Sequence, residues 1–239
     1  MSDQSEKIQQ LLRFDTPSIT NVVATYPEDK DLSLGLYHPW EGRWYADESL
    51  KCMYPEHGRR AGYVVTCVYG LPEAGVTPRL GFTDLYKAIA ASPKPVILAV
   101  KQNLPPRHKR HSGLLGGNMM TSFHSMGVVG ALSDGPSRDL DEIRPLGMQM
   151  MLTGTTVGHG PYQLQAVNVP VDICGMDVMP GEIVHMDENG ATKFPADRID
   201  DVLRIAARLQ KIEQERQAKM RMTGDPVEMG KIISGLYDM

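Results

Sequence analysis

The chain has 239 residues, enough for one large domain with a sizeable core or for two small ones. Its 41% hydrophobic and 23% charged residues are typical of a globular protein, and a formal net charge of −4 excludes a general affinity for nucleic acid. The three cysteines form no Cys-x-x-Cys pair and no apolar run is long enough for a signal core or a membrane span, so we expect a cytoplasmic protein without disulfides.

Helix signals open the chain, and an irregular aromatic segment follows them. Residues 5–12 have a helical pattern, and Asp15 supplies a cap for a second helix through Val23, with a proline in its first turn. Between Tyr26 and Gly58 the periodicity is lost among prolines and aromatic residues. We expect an ordered loop there, because its aromatic side chains need a surface to pack on.

Strand and helix signals alternate from residue 61 onward. Buried strands are predicted at 61–69, 95–100 and 126–133, with a helix at 82–91 and another that begins at Gly116-Gly117. This alternation favours an α/β fold.

Short strands in series follow residue 142. They are predicted at 148–152 and 168–174 and in a hairpin, in which 182–186 and 191–194 are joined by a turn at 187–190. A long amphipathic helix then runs from residue 195 to 221. We interpret residues 1–239 as a single domain with a curved sheet or small barrel, a core of about 15–212, and a helical extension and tail at 213–239.

The segment from Gly113 to Glu142 carries the chemistry. A helix that begins at Gly117 presents the free backbone N–H groups of Asn118 and Met119 to an anion. Twenty residues separate Gly117 from Arg138, and the intervening helix, strand and turn return the chain to its starting point. A cation, Arg138, and two carboxylates, Asp139 and Glu142, are therefore predicted beside this helix N-terminus.

Each of these residues also has a purely structural interpretation. Asp139 and Glu142 have the spacing of a helix capping box, and Arg138 alone is typical of a surface ion pair. The basic cluster, residues 107–111, is either a solvated loop or a rim that binds a second substrate anion. Lys101, at the end of a buried strand, could form a Schiff base, but the acidic motif suits a metal-stabilised enolate better.

An ordered set of motifs resembles the RraA-like family. It comprises Gly116-Gly117-Asn118, Arg138-Asp139, Glu142, the Val-Met-Pro-Gly-Glu-Ile-Val of residues 178–184 and the Asp-Glu-Asn-Gly of residues 187–190. The family includes magnesium-dependent aldolases that act on 4-hydroxy-4-methyl-2-oxoglutarate, oxaloacetate decarboxylases and regulators of ribonucleases. The resemblance implies an αββα sandwich related to swivelling phosphohistidine domains, assembled as a homotrimer or hexamer with sites between subunits.

The resemblance also implies roles for individual residues. Gly117, Asn118 and Met119 match the segment that holds the pyruvate carboxylate, and Arg138 matches the arginine that stabilises the enolate. Asp139 matches the ligand of Mg²⁺ or Mn²⁺, and Glu142 the supporting carboxylate. Aldolase relatives often have aspartate at the position of Gly117 whereas regulators have glycine, but regulators can lack the metal aspartate that this chain retains.

The expected function is a metal-dependent lyase that cleaves a carbon–carbon bond of a small 2-oxo acid by retro-aldol cleavage or decarboxylation and releases pyruvate. One alternative is a non-catalytic regulator that binds a ribonuclease or another protein. The other alternative is a related lyase that acts on a sugar acid.

Overall fold

A curved sheet organises the chain in the computed structural model, which describes residues 3–24, 31–73 and 79–235. The helices are α1 Asp3–Leu11, α2 Thr16–Val23, α3 Phe82–Ala91, α4 Pro106–Arg110, α5 Gly117–His124, α6 Leu140–Ile143, α7 Ile199–Met220 and α8 Pro226–Ser234. The strands are β1 Lys51–Cys52, β2 Arg60–Gly70, β3 Val96–Asn103, β4 Val128–Ser133, β5 Gln149–Leu152, β6 Gln163–Val167, β7 Val171–Ile173, β8 Met176–Val178, β9 Ile183–Asp187 and β10 Gly190–Phe194.

The main sheet has the strand order β1-β5-β4-β3-β2-β9-β10, and β6 also pairs with β2. Strands β2 to β5 are parallel, whereas β1, β6, β9 and β10 pair antiparallel with their neighbours. Tyr45 forms a bridge to Thr192 on β10, and the chain then runs to β1 at the opposite edge of the sheet. The segment from 45 to 52 thereby nearly closes the sheet, and the predicted α/β fold with a curved sheet or small barrel is confirmed.

Alternating side chains of β2 show how the layers are built. Val65 and Cys67 point outward to the core beneath α3 and α5, and Tyr63 points outward to the core beneath α1, α2 and α7. Val64 points inward, to a third core that the hairpin β7–β8 covers. Because β2 has apolar residues on both faces, it is buried on both sides. The curved sheet forms two β layers around the third core, and a helical layer covers each of them from outside.

The elements that differ from the predictions are those without a strong local pattern. Only residues 171–173 of the predicted strand 168–174 pair with a neighbour, and β6 and β8 are additional strands. The prediction of a loop at 107–111 is wrong in part, because the short helix α4 begins at Pro106 with Pro105 as its N-cap and includes residues 107–110. Of the predicted loop from Tyr26 to Gly58, residues 25–30 lie outside the described part of the chain.

Aromatic residues in the described part of this loop pack as expected, except Trp40, which is 85% exposed. Trp44 is buried, stacks on Tyr37 at a centroid distance of 5.7 Å and meets Tyr45 edge-on at 4.9 Å. Tyr54 is also buried, and its hydroxyl donates a 2.7 Å hydrogen bond to the carbonyl of Leu140. Trp44 and Tyr54 therefore belong to the core, and Tyr54 supports the helix that follows residue 139. Among the helices of the described residues, none combines the length and the apolar character needed to cross a membrane.

His185 on β9 is fully buried, and no carboxylate of the described residues forms an ion pair with it. Its Nδ1 lies 2.9 Å from Thr16 Oγ1, and its Nε2 has no hydrogen-bond partner among the described residues. Burial lowers the pKa of His185 to about 4, since a charged imidazolium would be desolvated there. The ring is therefore neutral at physiological pH.

This burial predicts a loss of stability in acid. The unfolded chain takes up a proton on His185 near pH 6.5 and the folded chain only near pH 4, so stability is full above 6.5 and falls as the pH drops from 6.5 to 4. We expect the free energy of unfolding to fall by about 2 kcal/mol between pH 7 and pH 5 from this group, measured by urea denaturation. His185→Gln should flatten this dependence, whereas the exposed control His38→Gln should leave it unchanged. A wild-type slope retained in His185→Gln would contradict the assignment.

Candidate active site

Two consecutive glycines at the start of α5 let three charged side chains come close to the backbone. A Cβ atom on Gly116 would lie 2.7 Å from Asp139 Oδ2 and 2.9 Å from Arg138 Nε. A Cβ atom on Gly117 would overlap Glu142 Oε2 and lie 2.9 Å from Glu142 Cβ. Each glycine therefore leaves space that a charged side chain fills, and the structure brings together the residues that the sequence predicts as a site.

Asp139 is directed toward α5 rather than toward its own helix. It occupies the N-cap position of α6 with left-handed backbone angles of φ 58° and ψ 41°, and its side chain makes no capping hydrogen bond. Its Oδ2 instead accepts a 3.0 Å hydrogen bond from the N–H of Gly117 and lies 3.4 Å from Arg138 Nε. The capping-box interpretation is therefore wrong. Aspartate tolerates this backbone region better than most residues, and such conformations concentrate at functional sites.

Arg138 lines a cleft of about 330 Å³ beside the first turn of α5. The Nε atom is buried without a hydrogen bond of good geometry, and the side chain is about one-third exposed (34%). Gly116, Asn118 and Met119 line the cleft with Arg138. The guanidinium group therefore lies over the helix N-terminus, where a bound anion would meet both.

The N–H groups of Asn118 and Met119 are available to a ligand. Neither donates to an acceptor among the described residues, whereas the N–H of Gly117 is donated to Asp139. Unsatisfied first-turn N–H groups and the positive end of the helix dipole favour an anion at this position. Asn118 and Met119 thus have the geometry of an anion seat, and Gly117 positions Asp139.

Buried neighbours of α6 hold the backbone that carries Glu142. Glu142 is itself an exposed residue in the first turn of α6, and its side chain extends over Gly117. The preceding Leu140 is anchored by the hydroxyl of Tyr54, and the carbonyl of Tyr54 accepts a 2.8 Å hydrogen bond from Gln149 Nε2. The core thus fixes the backbone on which this carboxylate is mounted.

The carboxylates fit a hydrated divalent cation better than a closed metal centre. Within the described ranges, no three His, Cys, Asp or Glu residues cluster with metal-binding geometry. Asp139 is about 30% exposed at its side chain, and its Oδ1 accepts no hydrogen bond from the described residues. Mg²⁺ commonly binds through one or two carboxylates and retains several waters, so Asp139 with Glu142 nearby fits this ion.

Three aromatic side chains complete the cleft, and the sequence gives no local signal for them. Phe82 and Tyr86 come from α3, and Tyr162 comes from the connection before β6. Ser122, one turn further along α5, also lines the cleft. Only the parallel arrangement of the strands brings α3 beside α5, so no pattern within a single segment predicts these contacts.

The remaining lysine candidates belong to a separate polar cluster on the inward face of the sheet. Lys101 Nζ lies 2.8 Å from Asp134 Oδ2 and 3.3 Å from Asp172 Oδ1. Burial alone would lower the pKa of Lys101, but its bonds to these two carboxylates outweigh burial and raise it. Lys101 is therefore a charged ammonium group, which is unsuited to Schiff-base formation. Lys109 Nζ also contacts Asp134, at 2.5 Å.

Comparison with known sequences supports the family resemblance. The family model RraA-like (Aldolase/RraA) matches residues 31–192. The 4-hydroxy-4-methyl-2-oxoglutarate aldolase of Thermus thermophilus is 31% identical over 86 residues, which are 35% of this chain and 52% of that enzyme. An uncharacterized protein of Methanocaldococcus jannaschii is 26% identical over 151 residues, which cover 62% of this chain and 70% of that protein. The chain thus matches about half the length of the aldolase.

Solved structures share the fold at low sequence identity. An uncharacterized protein from Pseudomonas syringae pv. tomato has a TM-score of 0.70 at 18% identity, and the alignment covers 96% of this chain and 94% of that one. Streptomyces coelicolor RraAS2, described as an unusual member of the RNase ES inhibitor RraA protein family, has a TM-score of 0.64 at 21% identity, covering 89% and 96%. These similarities establish the architecture.

The close contact at Gly117 predicts a steric penalty for any side chain there. Glu142 Cβ would lie only 2.9 Å from a new Cβ, so rotation of the Glu142 side chain does not relieve the contact. We expect Gly117→Ala to lower the free energy of unfolding by about 1–3 kcal/mol in urea denaturation. The control Gly224→Ala adds a methyl group in the connection between α7 and α8 where nothing lies within 4 Å, and it should leave stability unchanged. Equal stability of Gly117→Ala and wild type would show that α6 moves freely away.

Proposed function

The chain belongs to the RraA-like family, and within that family we propose that it is a divalent-metal-dependent lyase that cleaves a carbon–carbon bond of a small 2-oxo acid and releases pyruvate. The observation that carries this proposal is the convergence of Arg138, Asp139 and the free N–H groups of Asn118 and Met119 at one helix N-terminus. Cleavage next to a ketone leaves an enolate, and these groups can meet its charge.

The substrate carboxylate binds at the first turn of α5 in this proposal. The N–H groups of Asn118 and Met119 donate to its oxygens, and the helix dipole favours the negative charge. The seat therefore fixes one end of the 2-oxo acid and places its C2 oxygen toward Arg138.

Arg138 stabilises the charge that develops during bond cleavage. As the bond at C3 breaks, its electron pair passes into the enolate and negative charge accumulates on the C2 oxygen. The planar guanidinium group, already in place over Gly116, donates to this oxygen without reorganisation. Its 3.4 Å contact with Asp139 Oδ2 holds Nε and leaves the other guanidinium nitrogens to face the ligand.

Asp139 would hold Mg²⁺ or Mn²⁺, with Glu142 as the supporting carboxylate. The bound ion would act as a Lewis acid that polarises the ketone. The N–H of Gly117 and the guanidinium of Arg138 orient the Asp139 carboxylate. Because both contacts reach Oδ2, Oδ1 remains for the cation.

The direct test is a screen for pyruvate formation. Purified protein is incubated with oxaloacetate, 4-hydroxy-4-methyl-2-oxoglutarate and 4-hydroxy-2-oxo sugar acids, with Mg²⁺ or Mn²⁺ and then with chelator, against protein-free controls that contain the same metal. We expect metal-dependent pyruvate release that chelator abolishes. A non-catalytic ribonuclease regulator would release none above the protein-free rate, and selective turnover of the sugar acids would favour the related lyase that acts on a sugar acid.

Asp139→Asn isolates the negative charge of the candidate metal ligand. Asparagine also tolerates left-handed backbone angles, and its amide oxygen can still accept the N–H of Gly117, so the fold should be retained. We expect at least about a hundredfold loss of metal-dependent turnover, comparable to the loss of an electrostatic catalytic group, together with weaker Mn²⁺ binding in calorimetry. The exposed neighbour gives the matched control Asp141→Asn, which should behave as wild type. Unchanged Mn²⁺ affinity in Asp139→Asn would reject the ligand assignment.

We further propose that the protein is a homo-oligomer, a trimer or hexamer, in which α8 packs on a neighbouring subunit. Asp225 caps α8 through a 2.8 Å bond from the N–H of Glu228, and no residue of α8 is buried in the single chain. Val227 and Ile233 are exposed by 66% and 53%. Exposed apolar side chains on an ordered helix are typical of an interface. Leu236 and Tyr237, which extend this apolar tail in the sequence, lie outside the described residues.

Truncation tests the role of α8. A chain that ends after Arg221 should elute as a smaller species in size-exclusion chromatography with light scattering, because it lacks the apolar contacts of α8. Ile233→Lys in the full-length chain should shift the equilibrium in the same direction. An unchanged oligomer in both variants would place α8 outside the interface.

A further inference from the structure

We infer that the cleft selects 2-oxo acids whose far end is aromatic or branched apolar rather than a second carboxylate. This inference rests on the proposed function and names the substrate class of the same site. Its basis is a set of aromatic side chains that line the same cleft as the anion seat. The 2-oxo acid group alone would already engage the positive charge of this cleft.

The aromatic side chains form one wall of the cleft and are held by neighbouring rings. Phe82 and Tyr86 lie 6.2 Å apart between ring centroids, and Tyr86 meets the buried Phe123 edge-on at 5.9 Å. Tyr162 meets the buried Tyr69 edge-on at 5.7 Å. Phe82 is 41% exposed, so its ring has free surface for a ligand. Ordered rings with an uncovered face favour an apolar or aromatic partner.

Charge in the cleft is limited to one side chain. Arg138 is the only charged residue that lines the cleft among the described residues. Once Arg138 and the N–H groups of α5 hold the carboxylate and the C2 oxygen, the described lining offers no cation for a second carboxylate. Of the basic cluster, Lys109 is paired with Asp134 at 2.5 Å, and none of residues 107–111 lines the cleft. The predicted basic rim is therefore not found at this cleft.

Two of the three hydroxyl groups that line the cleft are already committed as donors. Tyr86 donates to Ser122 Oγ at 3.1 Å, and Ser122 donates to the carbonyl of Met119 at 2.7 Å. Neither hydroxyl has a second hydrogen to offer to a carboxylate. A carboxylate placed beside Tyr86 and Ser122 would lose water without gaining a donor from either residue, whereas an aryl or branched alkyl group would lose little.

The corresponding reaction is a retro-aldol cleavage that yields a neutral aldehyde or ketone. The 4-hydroxyl group gives up its proton and becomes the carbonyl oxygen of this product as the C3–C4 bond breaks. The electron pair of that bond passes into the enolate of pyruvate, and C3 then takes up one proton. No oxidant or reductant is needed.

Binding of non-cleavable analogues tests the inference without turnover. In calorimetry with MgCl₂, 2-oxo-4-phenylbutanoate should bind about tenfold more tightly than 2-oxoglutarate, because the two differ only in an apolar ring against a carboxylate at the far end. Phe82→Ala and Tyr162→Ala should each weaken the phenyl compound about fivefold and leave 2-oxoglutarate unchanged. The matched control is Trp40→Ala, which removes an 85% exposed aromatic ring outside the cleft lining. Equal or tighter binding of 2-oxoglutarate by the wild type would overturn the inference.

Kinetics separate this inference from the proposed function. Pyruvate release from any of the substrates tests the lyase activity, and with oxaloacetate the other product is CO₂ rather than an aldehyde or ketone. The ratio of kcat/KM for 4-hydroxy-2-oxo-4-phenylbutanoate to that for 4-hydroxy-4-methyl-2-oxoglutarate tests the selectivity. Turnover with preference for the dicarboxylate would overturn the selectivity and leave the lyase proposal standing. Absence of pyruvate from every substrate, with tighter binding of the phenyl analogue, would support the selectivity and reject the lyase.

Discussion

The close approach of the α5 N-terminus to the connection between β4 and α6 is the constraint on which the site depends. Strands β3 and β4 are adjacent and parallel, so the chain that leaves each one emerges at the same edge of the sheet. Contact at van der Waals distance is possible there only because Gly116 and Gly117 have no side chains. The sheet brings the two segments together, and the glycines let charged groups fill the remaining space.

The lysines and Arg138 lie on opposite faces of the sheet, so the lysines add no charge to the cleft. On the inward face, Lys101 and Lys109 share Asp134, so these cations are neutralised away from the cleft. On the outward face, Arg138 has a single carboxylate contact within the described part of the chain, at 3.4 Å with Asp139, whose side chain also accepts a hydrogen bond from the N–H of Gly117. Arg138 is therefore held in place without being fully neutralised, which leaves positive potential for an anion.

Local patterns predict the part of the site that lies within one segment, and long-range packing decides the rest. The register from Gly117 to Glu142 spans one helix, one strand and one turn, so the return of the chain could be predicted from periodicity. The direction of the Asp139 side chain could not, because the same spacing suits a capping box and only the neighbouring α5 provides the N–H that it accepts. Phe82 and Tyr162 come from distant segments that meet through the sheet, and no short motif marks them.

Residue 117 is glycine, yet a carboxylate still occupies the space beside it, because Glu142 fills that space. The resemblance associates aspartate there with aldolases, and glycine alone would point toward regulators. In this chain the Glu142 carboxylate lies where a side chain of residue 117 would begin, and Tyr54 and Gln149 fix the backbone that carries it. A carboxylate supplied from α6 can occupy the region that an aspartate on α5 would occupy, and the two cannot be present together without moving one helix. The identity of residue 117 therefore has to be interpreted together with residue 142, because the space between them holds only one side chain.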